Sequence, residues 1–133
     1  MLAGVRVLLV DDFEEFRQLT YRIVQMEGGT VIGQAADGVE AVSKASELEP
    51  DLILLDITLP RTNGLEAARK IRSLCPQAKI VILSQDCSPD LIQEALAVGP
   101  QCYVQKSCAQ SDLLPAIEAA LRGRQFVSSW PGL

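Results

Sequence analysis

Histidine is absent from the 133 residues, and none of Cys75, Cys87, Cys102 and Cys108 stands in a C-x-x-C spacing. The chain therefore lacks an ordinary zinc ligand set, and its thiols read as buried or idle. Neither G-x-G-x-x-G nor G-x-x-x-x-G-K-[ST] occurs, which removes the usual backbone cradles for nucleotide phosphates. No apolar run approaches the ~18 to 20 residues of a spanning helix, so no membrane association is expected. The opening "MLAGVRVLLVDD" is too short in its apolar part and too acidic at its end for a signal peptide. A cytosolic protein is expected. A basic excess is missing too: 12 Lys and Arg stand against 17 Asp and Glu, a net charge of -5. Direct DNA or RNA binding by this segment is disfavoured, because such binding neutralises phosphates with a basic face. There is no internal repeat, low-complexity tract or interior linker, and 133 residues suffice for one domain with one core.

What is present alternates between two kinds of segment. Val5 to Val10, Thr30 to Ala35, Asp51 to Asp56, Lys79 to Ser84 and Gln101 to Lys106 are short, and four of the five are rich in apolar or β-branched residues, so they read as strands. Between them apolar residues recur every three or four positions: Phe13, Phe16, Leu19, Ile23, Met26; Val39, Val42, Ala45, Leu48; Leu65, Ala68, Ile71, Leu74. Leu91, Ile92, Ala95, Leu96 and then Leu113, Leu114, Ile117, Leu121 continue the pattern, giving five amphipathic helices. Asp37-Gly38, Asn63-Gly64 and Ser88-Pro89 mark helix starts, and Gly28, Gly99 and Gly123 mark stops. Pro115 conflicts with the last pattern, so that helix either begins near Ser111 or has distorted first turns. The stretch after Gly123 reads as an irregular tail whose Phe126 and Trp130 need apolar surface to rest on.

Strict alternation implies an α/β fold: a doubly wound, five-stranded parallel sheet with five helices on its two faces. Strands covered on both sides need no polar alternation, which accounts for "LILL" at 52–55. In such sheets ligands bind beyond the carboxyl ends of the strands. Those ends carry Asp11 and Asp12, Asp56, Ser84 and Lys106. Two carboxylates ~4 Å apart repel by roughly 4 kcal/mol at an effective dielectric near 20, so three cannot all stay ionised without a cation. Mg²⁺ suits hard oxygen ligands and phosphoryl groups. A carboxylate beside such an ion can attack phosphorus, with a lysine and a hydroxyl meeting the phosphoryl oxygens. Taken singly each residue has a plainer reading: Asp11 and Asp12 as helix caps, Asp56 as a solvated strand end, Ser84 in a turn, Lys106 as surface charge, Tyr103 as core.

Asp11-Asp12, "LLDITLPRTNG", "ILS" and "YVQK" together resemble the receiver domain of two-component response regulators, from Val5 to about Arg122. The resemblance implies a flavodoxin-like sheet of order 2-1-3-4-5, a receiver domain over residues 1–123, and a tail or linker start over 124–133. It implies that Asp56 takes a phosphoryl group from a sensor histidine kinase. Mg²⁺ would be held by Asp12, Asp56 and the carbonyl of Thr58, with Asp11 acting through water. Lys106 and Ser84 would meet the phosphoryl group, Tyr103 would be the aromatic switch, and Pro60 and Gly64 would shape the loop after Asp56. Thr58 and Asp86 would tune the lifetime of the phosphorylated form.

Two departures stand out. Gln85 occupies a position that is usually small, which favours slowed phosphorylation or, as an alternative function, a docking scaffold that is never phosphorylated. Ser107 replaces the usual proline after the lysine, as in the NarL/FixJ class, which "GRQFVS" also resembles. Members of that class continue into a helix-turn-helix. A C-terminal DNA-binding output domain outside these residues, a role in transcription and a homodimer are therefore implied as partners and output. A Mg²⁺-dependent phosphohydrolase of the haloacid dehalogenase type is the remaining alternative, but it wants a second aspartate where Thr58 stands. The resemblance implies no turnover enzyme, since chemistry is confined to the chain's own phosphorylation and hydrolysis.

Overall fold

Runs such as Leu52–Asp56 become central strands because both of their faces can be buried at once. The computed structural model of the protein describes residues 2–59, 63–85, 88–99 and 102–128. Within them lie β1 (Arg6–Val10), α1 (Glu14–Met26), β2 (Thr30–Ala35), α2 (Gly38–Leu48), β3 (Leu52–Asp56), α3 (Gly64–Leu74), β4 (Lys79–Ser84), α4 (Pro89–Val98), β5 (Cys102–Gln105), α5 (Ala109–Leu121) and β6 (Phe126–Val127). The sheet has the order β2-β1-β3-β4-β5-β6, and every pairing is parallel. The expected order of the first five strands holds.

The sixth strand lies in the stretch read as an irregular tail. Phe126 and Val127 pair with Cys102 and Tyr103, and Ser128 N–H donates to the Tyr103 carbonyl at 2.9 Å. Phe126 does rest on the core. Trp130 and Pro60, Asp86, Cys87 and Gln101 fall outside the described residues.

Alternate side chains divide two cores. Val7, Leu9, Leu52, Leu54, Val81, Leu83 and Val104 pack under α1 and α5 against Val24, Leu113 and Ile117. Leu8, Val10, Ile53, Leu55, Ile80, Ile82 and Tyr103 pack under α2, α3 and α4 against Ala41, Ala45, Ala68, Ile71 and Ala95. Full burial of each such large side chain contributes about 1.5–3 kcal/mol, so the sheet is the stiff element on which a rim of polar groups can be held.

Helix punctuation follows side-chain chemistry. Asp37 and Asn63 accept from the Glu40 and Glu66 N–H groups at 2.8 Å, and Ser88 accepts from Leu91 N–H. Each such cap contributes about 1 kcal/mol. Gly28, Gly99 and Gly123 all have positive φ just past helix ends. The expected stripes hold over most of their length, with Ala45, Leu65, Ala68, Ile71, Ala95, Leu113 and Ile117 buried, but Phe13, Met26, Val39 and Leu74 at their edges are exposed, while Thr20, Val24, Ala41 and Ala67 face inward. Short side chains such as Ala41, Ala45, Ala67 and Ala68 are wholly buried beside large ones such as Ile71, Leu113 and Ile117.

Pro115 lies inside α5, which begins at Ala109 after a 3₁₀ turn over Lys106–Cys108. Pro115 and Ser111, whose carbonyl it leaves without an intrahelical donor, are both exposed, so water can reach that carbonyl and offset much of the cost. Cys102 is buried, Cys75 and Cys108 are half-buried, and all three are free thiols. No helix among the described residues is long and apolar enough to cross a membrane.

Candidate functional site

Sheet order decides which strand ends meet. β1 and β3 are neighbours, with Val10 opposite Leu55, so the next residues out, Asp11 and Asp56, are brought side by side. Asp11 is held firmly: its N–H donates to the Ala35 carbonyl at 3.0 Å and its Oδ1 accepts from Phe13 N–H at 2.8 Å. The Asp11 carbonyl accepts from Arg17 Nη1 at 2.7 Å, and Arg17 Nε donates to Gln34 Oε1 at 2.8 Å. Asp56 Oδ1 accepts from Thr58 N–H at 3.0 Å. Lys106 stands just past the end of β5, two strands away from β3, and its long side chain reaches across the end of β4. Its Nζ donates to Asp56 Oδ2 at 3.2 Å, stands 2.8 Å from Asp11 Oδ2, and lies 4.6 Å above the Phe16 ring.

Charge at this rim is out of balance. Carboxylate oxygens of Asp11, Asp12 and Asp56 all lie within 4.8 Å of one another. Asp11 and Asp56 are each only 3% exposed, whereas Asp12 is exposed. One ammonium thus faces three carboxylates. Moreover, Asp11 Oδ2 is close enough to Lys106 to be an ion pair, but the angle does not make a hydrogen bond, so this buried oxygen has no directed donor. The carboxyl of Asp56 titrates at about 6 instead of 3.8. Burial is the largest cause and the charge of Asp11 adds to it, while the Thr58 amide and the charge and hydrogen bond of Lys106 oppose it.

An oxygen-only donor set, an excess of carboxylate and a buried oxygen without a directed donor fit a hard divalent cation such as Mg²⁺. Asp12 and Asp56 open on a cleft of about 250 Å³ that Phe13, Thr58, Gln85 and Lys106 complete. There the ion could sit and an anionic group could follow it.

Of the residues singled out in the sequence, Asp11, Asp12, Asp56 and Lys106 converge, and Thr58 and Gln85 line the cleft with them. Ser84 ends β4 fully buried, and Tyr103 is buried in the core under α4. Gly64 owes its place to close backbone approach. Its N–H donates to the Ile57 carbonyl at 2.8 Å, and a Cβ there would stand 2.4 Å from Ile57 Cα and 2.5 Å from the Asp56 carbonyl oxygen.

Sequence reasoning missed Arg17, which clamps the Asp11 backbone, and the seat that Phe16 provides for Lys106. Arg17 carries no motif. Phe16 was visible only as one apolar position on a helix.

Residues 7–118 match the family described as the response regulator receiver domain. The chain is 36% identical over 114 residues to the chemotaxis protein CheY of Thermotoga maritima, covering 86% of this chain and 95% of that protein. It is 34% identical over 128 residues to the response regulator GacA of Pseudomonas viridiflava, covering 93% of this chain but only 58% of GacA. Against several such longer curated relatives it spans about 55–62% of their length. Among solved structures, a two-component response regulator of the LuxR family from Aurantimonas sp. SI85-9A1 superimposes with a TM-score of 0.87 at 35% identity, over 93% of this chain and 89% of that one.

Proposed function

The chain belongs to the response regulator receiver domain family, and on that premise we propose that it is a phosphorylation-driven switch in which Asp56 is the phosphoacceptor. One observation carries the reading. Three carboxylates lie within 4.8 Å of one another at the mouth of a cleft, with Lys106 Nζ 3.2 Å from the Asp56 oxygen.

Asp56 attacks the phosphorus of a kinase phosphohistidine. The new O–P bond replaces the P–N bond, whose electron pair returns to the imidazole. Bound Mg²⁺ would supply the positive charge that lets Asp12 and Asp56 stay ionised together while a phosphoryl group approaches. Asp12, Asp56 and the Thr58 carbonyl would hold it, with Asp11 engaged through water. Lys106 is already at hydrogen-bond distance of Asp56 and follows the added charge onto the phosphoryl oxygens. Ser84 turns toward that group, and the packing of Tyr103, already buried under α4, adjusts behind it. The equilibrium between two arrangements of α4, β5 and α5 shifts as a result. Thr58 and Asp86 set how long the phosphoryl group lasts. The chemistry is confined to the chain's own phosphorylation and hydrolysis.

The partners in this reading are a sensor histidine kinase in the cytoplasm, a second copy of the chain in the active state, and a DNA-binding output domain that acts on transcription. A docking scaffold that is never phosphorylated is favoured by one observation: Gln85 is exposed and lines the cleft that the phosphoryl group must enter. Thr58 speaks against a phosphohydrolase, since it stands where a second catalytic carboxylate belongs.

Incubation with acetyl phosphate and Mg²⁺ followed by intact mass measurement separates these readings. A gain of one phosphoryl group, absent in Asp56→Ala and faster in Gln85→Ala, is expected. No gain from acetyl phosphate or from a phosphorylated kinase would overturn the switch in favour of the scaffold.

A further inference from the structure

At the opposite end of the sheet, where β4 and β5 begin, a second cleft of about 250 Å³ opens between the ends of three helices. Arg72 from the last turn of α3, Lys79 at the start of β4 and Arg124 just past α5 stand around it. Ile80, Cys102 and Ala120, all buried, lie at its base. No carboxylate lines it among the described residues. Among the described residues the side-chain nitrogens of the three cations have no hydrogen-bond or ion-pair partner, in a chain whose net charge is -5. Asp51 is nearby, its carbonyl accepting from Lys79 N–H, but its carboxylate is engaged by Arg6 N–H at 2.9 Å.

A plain explanation must be weighed first. Cations are favourable at helix C-termini, and α3, α4 and α5 all end here. Each helix end carries roughly half a negative charge, so the three together amount to about -1.5. Three full positive charges exceed that, and the excess is unanswered by any side chain among the described residues.

The backbone also makes room for the excess. Gly99, just past α4, has φ 130°, and a Cβ on it would stand 2.6 Å from Arg72 Nε and 3.0 Å from Arg72 Cζ. The absence of a side chain at 99 is what lets the guanidinium lie across the backbone at the cleft wall. A guanidinium there presents a planar fork matched to two oxygens of one anion.

We propose that this cleft binds a small phosphate-class anion, with Arg72 as the forked donor and Lys79 and Arg124 as flanking charges. Size limits the ligand. Drug-sized sites run from about 300 to 1,000 Å³, so this one accommodates one or two phosphoryl groups and not a nucleotide. The site is independent of Asp56 chemistry, on the far rim of the sheet.

The test uses Asp56→Asn protein without metal, so that the acidic rim plays no part, and titrates it with pyrophosphate while amide NMR shifts are followed. Saturable shifts confined to Arg72, Lys79, Gly99, Gly123 and Arg124 are expected, weakened by added salt. Arg72→Gln with Lys79→Gln should weaken binding about tenfold or more, while amides far from the cleft stay put and report an intact fold. Shifts that do not saturate, that sodium chloride reproduces at equal ionic strength, or that survive in the double variant would overturn the proposal.

Discussion

The two rims of the sheet hold similar residue types in opposite electrical circumstances. At the rim where the strands begin, Arg6 donates to the carbonyls of Leu48 and Glu49 at 2.8 and 2.7 Å, answering the last turn of α2, and Asp51 answers the Arg6 amide. Arg6, Asp51, Arg72, Lys79 and Arg124 are all exposed. Water can screen every one of these charges, and surface pairs there contribute little to stability. At the other rim Asp11 and Asp56 are almost wholly buried, and one ammonium serves both. The same charges therefore cost little at one end and are poised at the other. What marks a reactive site is charge that burial leaves incompletely answered.

The sharpest way to break that contrast is to remove the cation at each rim. Lys106→Met keeps the aliphatic stem against Phe16 but leaves two buried carboxylates facing each other. Breaking a buried pair from one side costs about 3–5 kcal/mol, and urea denaturation of the metal-free protein near neutral pH should show a loss in that range, partly restored by Mg²⁺. Lys79→Met at the exposed rim should change stability by less than about 0.5 kcal/mol. Equal losses in the two variants would mean that burial does not separate the rims.

Next in size is Gly64→Ala. The added Cβ would meet backbone atoms of Asp56 and Ile57 at 2.4 to 2.6 Å, which cannot yield as a flexible side chain can. A loss of about 3 kcal/mol is expected, together with slower phosphorylation from acetyl phosphate, because the backbone that the added methyl displaces is that of Asp56 and Ile57. Unchanged melting and an unchanged rate would show that the loop relaxes freely.

Much of this was legible in the chain itself, for reasons that differ by element. The parallel sheet between two helical layers followed from alternation, because "LILL" can be satisfied only when both strand faces are covered, whereas the order of its first five strands came with the family resemblance. The acidic cluster and Lys106 were legible because a parallel sheet collects the ends of its strands on one rim. β6 was not: two residues carry no periodicity, and their pairing rests on open β5 edge groups and on Ser128, whose Oγ accepts from Gln105 N–H at 2.9 Å. The centres of the helix faces were legible but their edges were not, since Phe13, Met26, Val39 and Leu74 are exposed and spacing does not show which neighbouring side chains turn inward instead. The reason for Gly64 was read as turn geometry, but contact distances give backbone crowding instead.

The smallest of these effects isolates the carboxyl that the other two act upon. In metal-free protein Asp56 titrates at about 6 when folded, against 3.8 as an ordinary carboxyl, so between those values the folded chain holds more protons than the unfolded one. Stability from this group is therefore full below about pH 4 and falls as pH rises through 6. The difference corresponds to roughly 1–3 kcal/mol once the water that reaches the cleft is allowed for. Asp56→Asn lacks the titration, so its stability relative to the parent should climb by that amount from pH 4 to pH 7 in chelator. Saturating Mg²⁺ should narrow the gap, since the parent then has a partner for the charge that the variant lacks. Denaturation curves that stay parallel across this range would show that Asp56 is as well solvated as any carboxylate at the far rim, and the contrast between the two ends of the sheet would lose its physical basis.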